Sequence, residues 1–153
     1  MEGNYITTAD LKNQLRQQTQ GLWDDNHKQA LFQDAQFYLP SAAEAEALIA
    51  AHQQATAGGG LVAATTLGEG HDCDDFTRSL YGFAADFAAQ NWRVEHSVCI
   101  GMAVGVFGWM VRELHSCNWV FLSDGGLKWI EPQTGALHDA HECVALTLRN
   151  LIV

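Results

Sequence analysis

Two segments rich in strand-forming residues, His115 to Leu122 and Leu127 to Glu131, flank a Ser123–Asp124–Gly125–Gly126 turn and constrain this chain more than any other stretch. Such segments around a glycine turn form a β-hairpin, and its loop length decides which side chains share a face. A two-residue Asp124–Gly125 loop would set Glu131 against Asn118 and turn its carboxylate away from His115. A three-residue Ser123–Asp124–Gly125 loop, with Gly125 left-handed in a G1 bulge, pairs Leu122 with Gly126, Cys117 with Glu131 and His115 with Gln133. The second register is the expected one. It places His115, Cys117, Trp119 and Phe121 on one face and Ser116, Asn118, Val120 and Leu122 on the other. Glu131 is then a diagonal neighbour of His115, about 7–8 Å away at the backbone, and Gln133 stands opposite as the alternative partner. Trp119 and Trp129 belong to the core on this reading, and Asn118 is a hydrogen-bonded strand residue before it is anything else.

Upstream, Phe76, Leu80, Phe83 and Phe87 follow Cys73 at alternating spacings of three and four, the apolar stripe of an amphipathic helix. Asp72 suits the N-cap, and Asp75 matches the far half of a capping box. Cys73 therefore opens the helix, where the helix dipole lowers thiol pKa and free backbone N–H groups face a developing oxyanion. Asp74 and Asp75 should point to solvent. A nucleophilic cysteine also needs a base and an orienting partner for that base. His115 and Glu131 supply them, with Gln133 and Asn118 as alternatives for the third position.

Together these residues resemble a known family. Cysteine in a D-C-D-D-F context, His115 in H-x-x-N, and the returning I-E-P-Q-T-G of Ile130–Gly135 are similar to the papain-like protease domain at the C-terminus of a mushroom agglutinin and its bacterial and phage relatives. Phe37–Tyr38–Leu39–Pro40–Ser41, followed by an acidic helix, resembles the lead-in of the small stand-alone members. The likeness covers roughly residues 36 to 136. It implies Cys73 as nucleophile, His115 as base and Glu131 as third member. It also implies dependence on calcium or manganese, for which Asp72, Asp74 and Asp75 would supply hard oxygen ligands. Two features depart from the pattern. No glutamine lies between Thr66 and Asp72 to complete an oxyanion hole, the nearest being Gln53 and Gln54 in a predicted helix, and Gly68–His71 is unusually glycine-rich.

Bulk properties fit one domain over residues 1–153, with a helical part over 1–57 and the cysteine helix plus sheet over 61–153; 48% of residues are hydrophobic and 17% charged. Eighteen acidic against eight basic residues give a charge of −10, which disfavours nucleic acid and anionic membrane as partners. Val98–Val111 is too short to span a bilayer before Arg112. Residues 1–11 lack an apolar signal core, and the cysteines form no closely spaced pairs, so the expectation is a reduced, cytoplasmic protein. Residues 7–39 are expected to form two short helices, and a Ser41-capped helix should run to about Ala57 before the Gly58–Gly60 stop. Leu61–Ala64 reads as a short strand or connector, Val94–Val111 as one long strand or two, and Val144–Leu148 as a last strand. His71/Cys73, His115/Cys117, His141/Cys143 and His96/Cys99 share zinc-ligand types but lack the tight knuckles of structural zinc sites. Cys99, Cys117 and Cys143 read as small buried residues.

These observations point to an α+β papain-like/transglutaminase-like fold, its nucleophile helix packed on an antiparallel sheet with extra N-terminal helices. The expected function is a thiol hydrolase, a cysteine peptidase with a protein or peptide substrate and no cofactor required by the sequence itself. A cell-wall peptidoglycan amidase or endopeptidase, whose nucleophile sits in a similar D-C-x-x-F context, and a catalytically inactive binding protein of the same fold are the alternatives.

Overall fold

The hairpin from His115 to Ile130 takes the register of the longer loop. Leu122 lies opposite Gly126 and Asn118 opposite Ile130. The left-handed residue is Gly126, at φ 68°, and not the expected Gly125. A side chain there would be strained, and its Cβ would come within 2.5 Å of the Gln18 amide. That amide oxygen accepts the Leu127 N–H at 2.7 Å, which ties the N-terminal helix to the turn.

A computed structural model describes residues 4–20, 22, 30–31, 34–59, 73–110, 114–146 and 151–152. Its elements are β1 (Tyr5–Thr7), α1 (Thr8–Gln18), β2 (Ala30–Leu31), β3 (Gln36–Tyr38), α2 (Ala42–Gly59), α3 (Cys73–Asn91), β4 (Ile100–Phe107), β5 (His115–Leu122), β6 (Gly126–Ile130) and β7 (Leu137–Asp139). A short 3₁₀ turn (Ala140–Glu142), β8 (Cys143–Leu146) and β9 (Leu151–Ile152) follow. In the main sheet the order is β2-β9-β4-β5-β6-β7, with β8 also paired to β4. The pairs are antiparallel except β2 with β9.

β5 is buried at every position because the sheet is covered on both faces. Cys117, Trp119 and Phe121 join Leu11 and Leu15 of α1 and Phe107 in one core cluster. Val120 and Leu122 join Leu48 of α2 and Leu80, Ala84 and Ala88 of α3 in the other. The alternation expected from the sequence thus sorts one strand's side chains into two cores.

α2 starts as its sequence requires. The Ser41 backbone N–H donates to Glu44 Oε2 at 2.8 Å, and the Glu44 N–H donates to Ser41 Oγ at 3.3 Å, a reciprocal capping box. His52 of α2 is fully enclosed and shares a 2.9 Å hydrogen bond between Nε2 and Ser79 Oγ, joining α2 to α3.

Four expectations need correction. Residues 7–39 contain one described helix, α1, and two strands. Phe37 and Tyr38 lie in β3, which pairs with β1, and the Tyr38 backbone bonds Ser97 and Cys99, so main-chain partners override the helical spacing. On α3 the buried stripe is Phe76, Thr77, Leu80, Ala84 and Ala88. Phe83 and Phe87 flank it, Phe83 against His52 and Phe87 against Trp92, because small alanines let the helix lie close to the sheet. The last strands are β8 and β9, and no His115–Gln133 rung forms. β6 ends at Ile130, since Pro132 lacks an N–H to continue the ladder, and the chain turns with the Gly135 N–H donating to the Glu131 carbonyl at 2.7 Å. Leu61–Ala64, His71 and Asp72, with the helix cap assigned to Asp72, lie outside the described residues.

The apolar stretch before Arg112 contains one strand, β4, and among the described residues no helix is long and apolar enough to cross a membrane. Gly105 permits β4 to meet β8, since an added Cβ would sit 2.5 Å from the Ala145 carbonyl oxygen. Gly105→Ala is expected to cost about 1–3 kcal/mol in urea unfolding, as overpacking does. A loss below ~0.5 kcal/mol, the range of a neutral surface change, would mean that β8 is free to shift.

Candidate active site

Cys73 is the first residue of α3, so its side chain sits where the helix's unpaired N–H groups point. The other end of the site comes from the hairpin. His115 opens β5, and Glu131 follows β6 directly, one residue beyond the Asn118–Ile130 rung. The three-residue loop sends both side chains the same way, and His115 Nε2 meets Glu131 Oε2 at 2.5 Å. Both groups are nearly enclosed, with 7% and 9% of their side chains exposed.

Nε2 being engaged by the carboxylate, Nδ1 is the ring nitrogen that remains for the Cys73 thiol, whose nearness helps to raise the imidazole pKa. The Ser116 backbone N–H approaches Cys73 Sγ at 3.5 Å from the next position on the strand. Burial disfavours the charged imidazole, but hydrogen bonds to Cys73 and Glu131, with the charges of both, raise the His115 pKa to about 9. Burial likewise opposes the Glu131 charge. The bonds from His115 and from the Gln133 backbone N–H, the latter at 3.1 Å, outweigh it and hold the carboxyl below its usual range. The pair is therefore an imidazolium and a carboxylate, each keeping the other charged.

The remaining candidates fall into place around this pair. Gln133 contributes its main chain to Glu131 instead of standing opposite His115. Asn118 lies on the other face of β5, where its Nδ2 donates to the carbonyls of Thr77 at 3.0 Å and Gly101 at 3.2 Å, so it joins α3 to β4 and β5 away from the imidazole. Asp74 and Asp75 both pair with Arg78. Asp74, with 39% of its side chain exposed, faces solvent at the rim of a cleft of about 460 Å³ that is also lined by Cys73, Thr77, Met102, Val104, Leu114 and Ser116. Among the described residues no three His, Cys, Asp or Glu side chains converge as metal ligands.

Sequence reasoning missed Trp109. Its buried indole N–H makes no hydrogen bond, yet it lies near enough to Glu131 to add to the lowering of that carboxyl. Nothing in the apolar run around it ties an indole to a carboxylate on another strand. The other cysteines are as expected: Cys99, Cys117 and Cys143 are buried, and burial pushes the Cys143 thiol up to about 12 and the other two higher than an ordinary thiol.

In an NMR titration the His115 Cε1–H resonance should have its midpoint near 9 and fall towards about 6.5 in Glu131→Gln. The sign for stability follows. A raised folded-state pKa contributes fully below ~6.5 and is lost as pH rises through the folded value, so the wild type should lose stability relative to Glu131→Gln on the alkaline side. A wild-type midpoint near 6.5 would contradict the ion pair.

No family model matches the chain, and no curated protein matches it. Solved structures do. A Polyporus squamosus lectin bound to a human-type influenza-binding epitope superposes with a TM-score of 0.68 at 18% identity, covering 92% of this chain and 48% of that one. The PSL1a–E64 complex superposes with a TM-score of 0.66 at 19% identity, covering 91% of this chain and 49% of that one. The chain thus spans about half the length of the structures it matches. At such identity the likeness is one of architecture, and the architecture is the α+β fold of the papain-like domain of PSL1a.

Proposed function

We propose that this chain is a thiol hydrolase that cleaves peptide bonds, with Cys73 as nucleophile, His115 as acid–base and Glu131 as its orienting anion. The observation that carries this reading is the buried His115 Nε2–Glu131 Oε2 pair at 2.5 Å, with Cys73 at the start of α3 opening onto a cleft beside it. A structural cysteine needs no imidazole, and a structural histidine needs no buried carboxylate beside it.

The chemistry follows from the geometry. The imidazolium of His115 already holds the proton given up by the Cys73 thiol, and the thiolate attacks the substrate carbonyl carbon, forming a C–S bond. Backbone N–H groups at the start of α3 meet the oxyanion, in place of the glutamine absent before Cys73. The imidazolium then gives its proton to the leaving amine as the C–N bond breaks. A water, deprotonated by His115, attacks the thioester, releases the acid and returns the thiol. Glu131 stays ionised throughout and fixes the ring orientation, as the third member of a triad does.

PSL1a, which shares the fold, is seen with the peptide-like inhibitor E64, and this supports a peptide as the cleft's ligand. The charge of −10 argues against nucleic acid and anionic membrane as partners.

The expected outcome is that E64 adds covalently to Cys73 alone. Iodoacetamide should alkylate Cys73 below pH 7 at least tenfold faster than a free thiol, and His115→Ala should abolish that excess. Purified chain should then digest denatured casein and lose that activity in Cys73→Ala. Digestion of purified cell wall without casein would transfer the reading to a peptidoglycan amidase. A Cys73 that titrates like an ordinary thiol would leave only a binding protein.

A further inference from the structure

The end of β6 leaves one donor of β5 without a ladder partner. Along a strand the N–H groups point alternately to its two neighbours. Phe121 donates at 3.0 Å to the carbonyl of Cys99, the residue before β4, so the even-numbered residues from Ser116 to Leu122 direct their N–H groups towards β6. The Asn118–Ile130 pairing sets Pro132 opposite Ser116, and the ladder stops before that rung. Ser116 is enclosed, with 6% of its surface exposed, and a buried N–H left unpaired is costly. Its partner is the sulfur of Cys73: the Ser116 N–H donates to Sγ at 3.5 Å.

A donor aimed at sulfur favours the anion over the neutral thiol, because hydrogen bonds to a charged acceptor are roughly twice as strong as neutral ones. The site has use for one. Asp74 and Asp75 in the first turn of α3 oppose negative charge on the sulfur, and the imidazole is shared with Glu131. We propose that the Ser116 backbone N–H is a catalytic group that holds the Cys73 thiolate until it attacks. The inference rests on the proposed hydrolase and adds a donor to it. A thiolate held in this way is more populated but less nucleophilic, with a Brønsted slope of about 0.4–0.5, so on the acid side of the thiol titration the gain exceeds the loss. As the C–S bond forms, the negative charge of the sulfur passes to the carbonyl oxygen. The N–H groups at the start of α3 receive it there, and the Ser116 N–H lets go. The side chain at 116 has no part in this: the donor belongs to the backbone, and Pro132 frees it.

The test replaces the His115–Ser116 amide by an ester in the full chain, using the α-hydroxy analogue of serine at 116, which deletes this N–H and keeps the side chain. The readout is the pH profile of Cys73 alkylation by iodoacetamide. The midpoint of thiolate formation should rise by about one unit, the scale of one charge-assisted hydrogen bond. With the slope above, the rate on the acid limb should fall about threefold and the alkaline plateau should rise about threefold, so the two profiles cross. A merely structural defect would lower both. In the wild type the Ser116 amide proton should shift at the step in which Cys73 titrates, and that step should be absent from Cys73→Ala. This second measurement needs no ester, and it decides the matter if reactive Cys99, Cys117 and Cys143 show the ester chain to be loosened. With a fast wild-type Cys73, an unmoved midpoint in a folded ester chain, or an amide proton indifferent to the Cys73 titration, overturns this inference alone. A wild-type Cys73 no faster than a free thiol overturns the triad, and the inference with it.

Discussion

The pairing register of β5 against β6 is the constraint on which the rest of the molecule depends. β5 is buried on both faces, so a slip of one residue would move Cys117, Trp119 and Phe121 out of the core shared with α1 and into the space filled by α2 and α3. It would also carry Glu131 to the wrong side of the hairpin. Hydrophobic sorting and the geometry of the proposed triad are thus enforced by the same few backbone hydrogen bonds. The penalty for misregister is paid by the whole core, while the site merely inherits the precision.

The electrostatic design is economical. Three factors act on His115, and only burial opposes its charge. The Glu131 carboxylate resists neutralisation because Gln133 donates its backbone N–H to the oxygen that His115 does not use. Pro132 thereby has two consequences: it ends the ladder, and the turn it enforces presents the Gln133 amide to the carboxylate. On the other flank, Arg78 draws off the two aspartates of the first turn of α3, which would otherwise set negative charge beside the sulfur.

Much of this was legible in the sequence, and the exceptions have physical causes. The hairpin register followed from loop length, the Ser41 cap from a side chain that bonds its own helix, and the meeting of His115 with Glu131 from strand alternation, because each is local or follows a fixed period. Phe37 and Tyr38 were misassigned because their conformation is set by main-chain partners at Ser97 and Cys99, far along the chain. The shift of the buried stripe on α3 towards Ala84 and Ala88 was hidden for a related reason. Large aromatics dominate a hydrophobicity pattern, whereas close packing rewards small residues. Trp109 left no trace at all, since its stack between Phe107 and His138 exists only once β4 and β7 are folded into one sheet.

The division of labour between elements also has a consequence in time. His115 and Glu131 belong to one hairpin, whose ends meet through a short loop, whereas Cys73 arrives on a helix that must dock across the sheet. Local hairpins close quickly and distant contacts form late. A chain still emerging or refolding therefore carries the His115–Glu131 pair before Cys73 reaches it. In the proposed hydrolase reactivity is then a property of the last contact made, which would protect the chain from its own chemistry while it is still unfolded and open to attack.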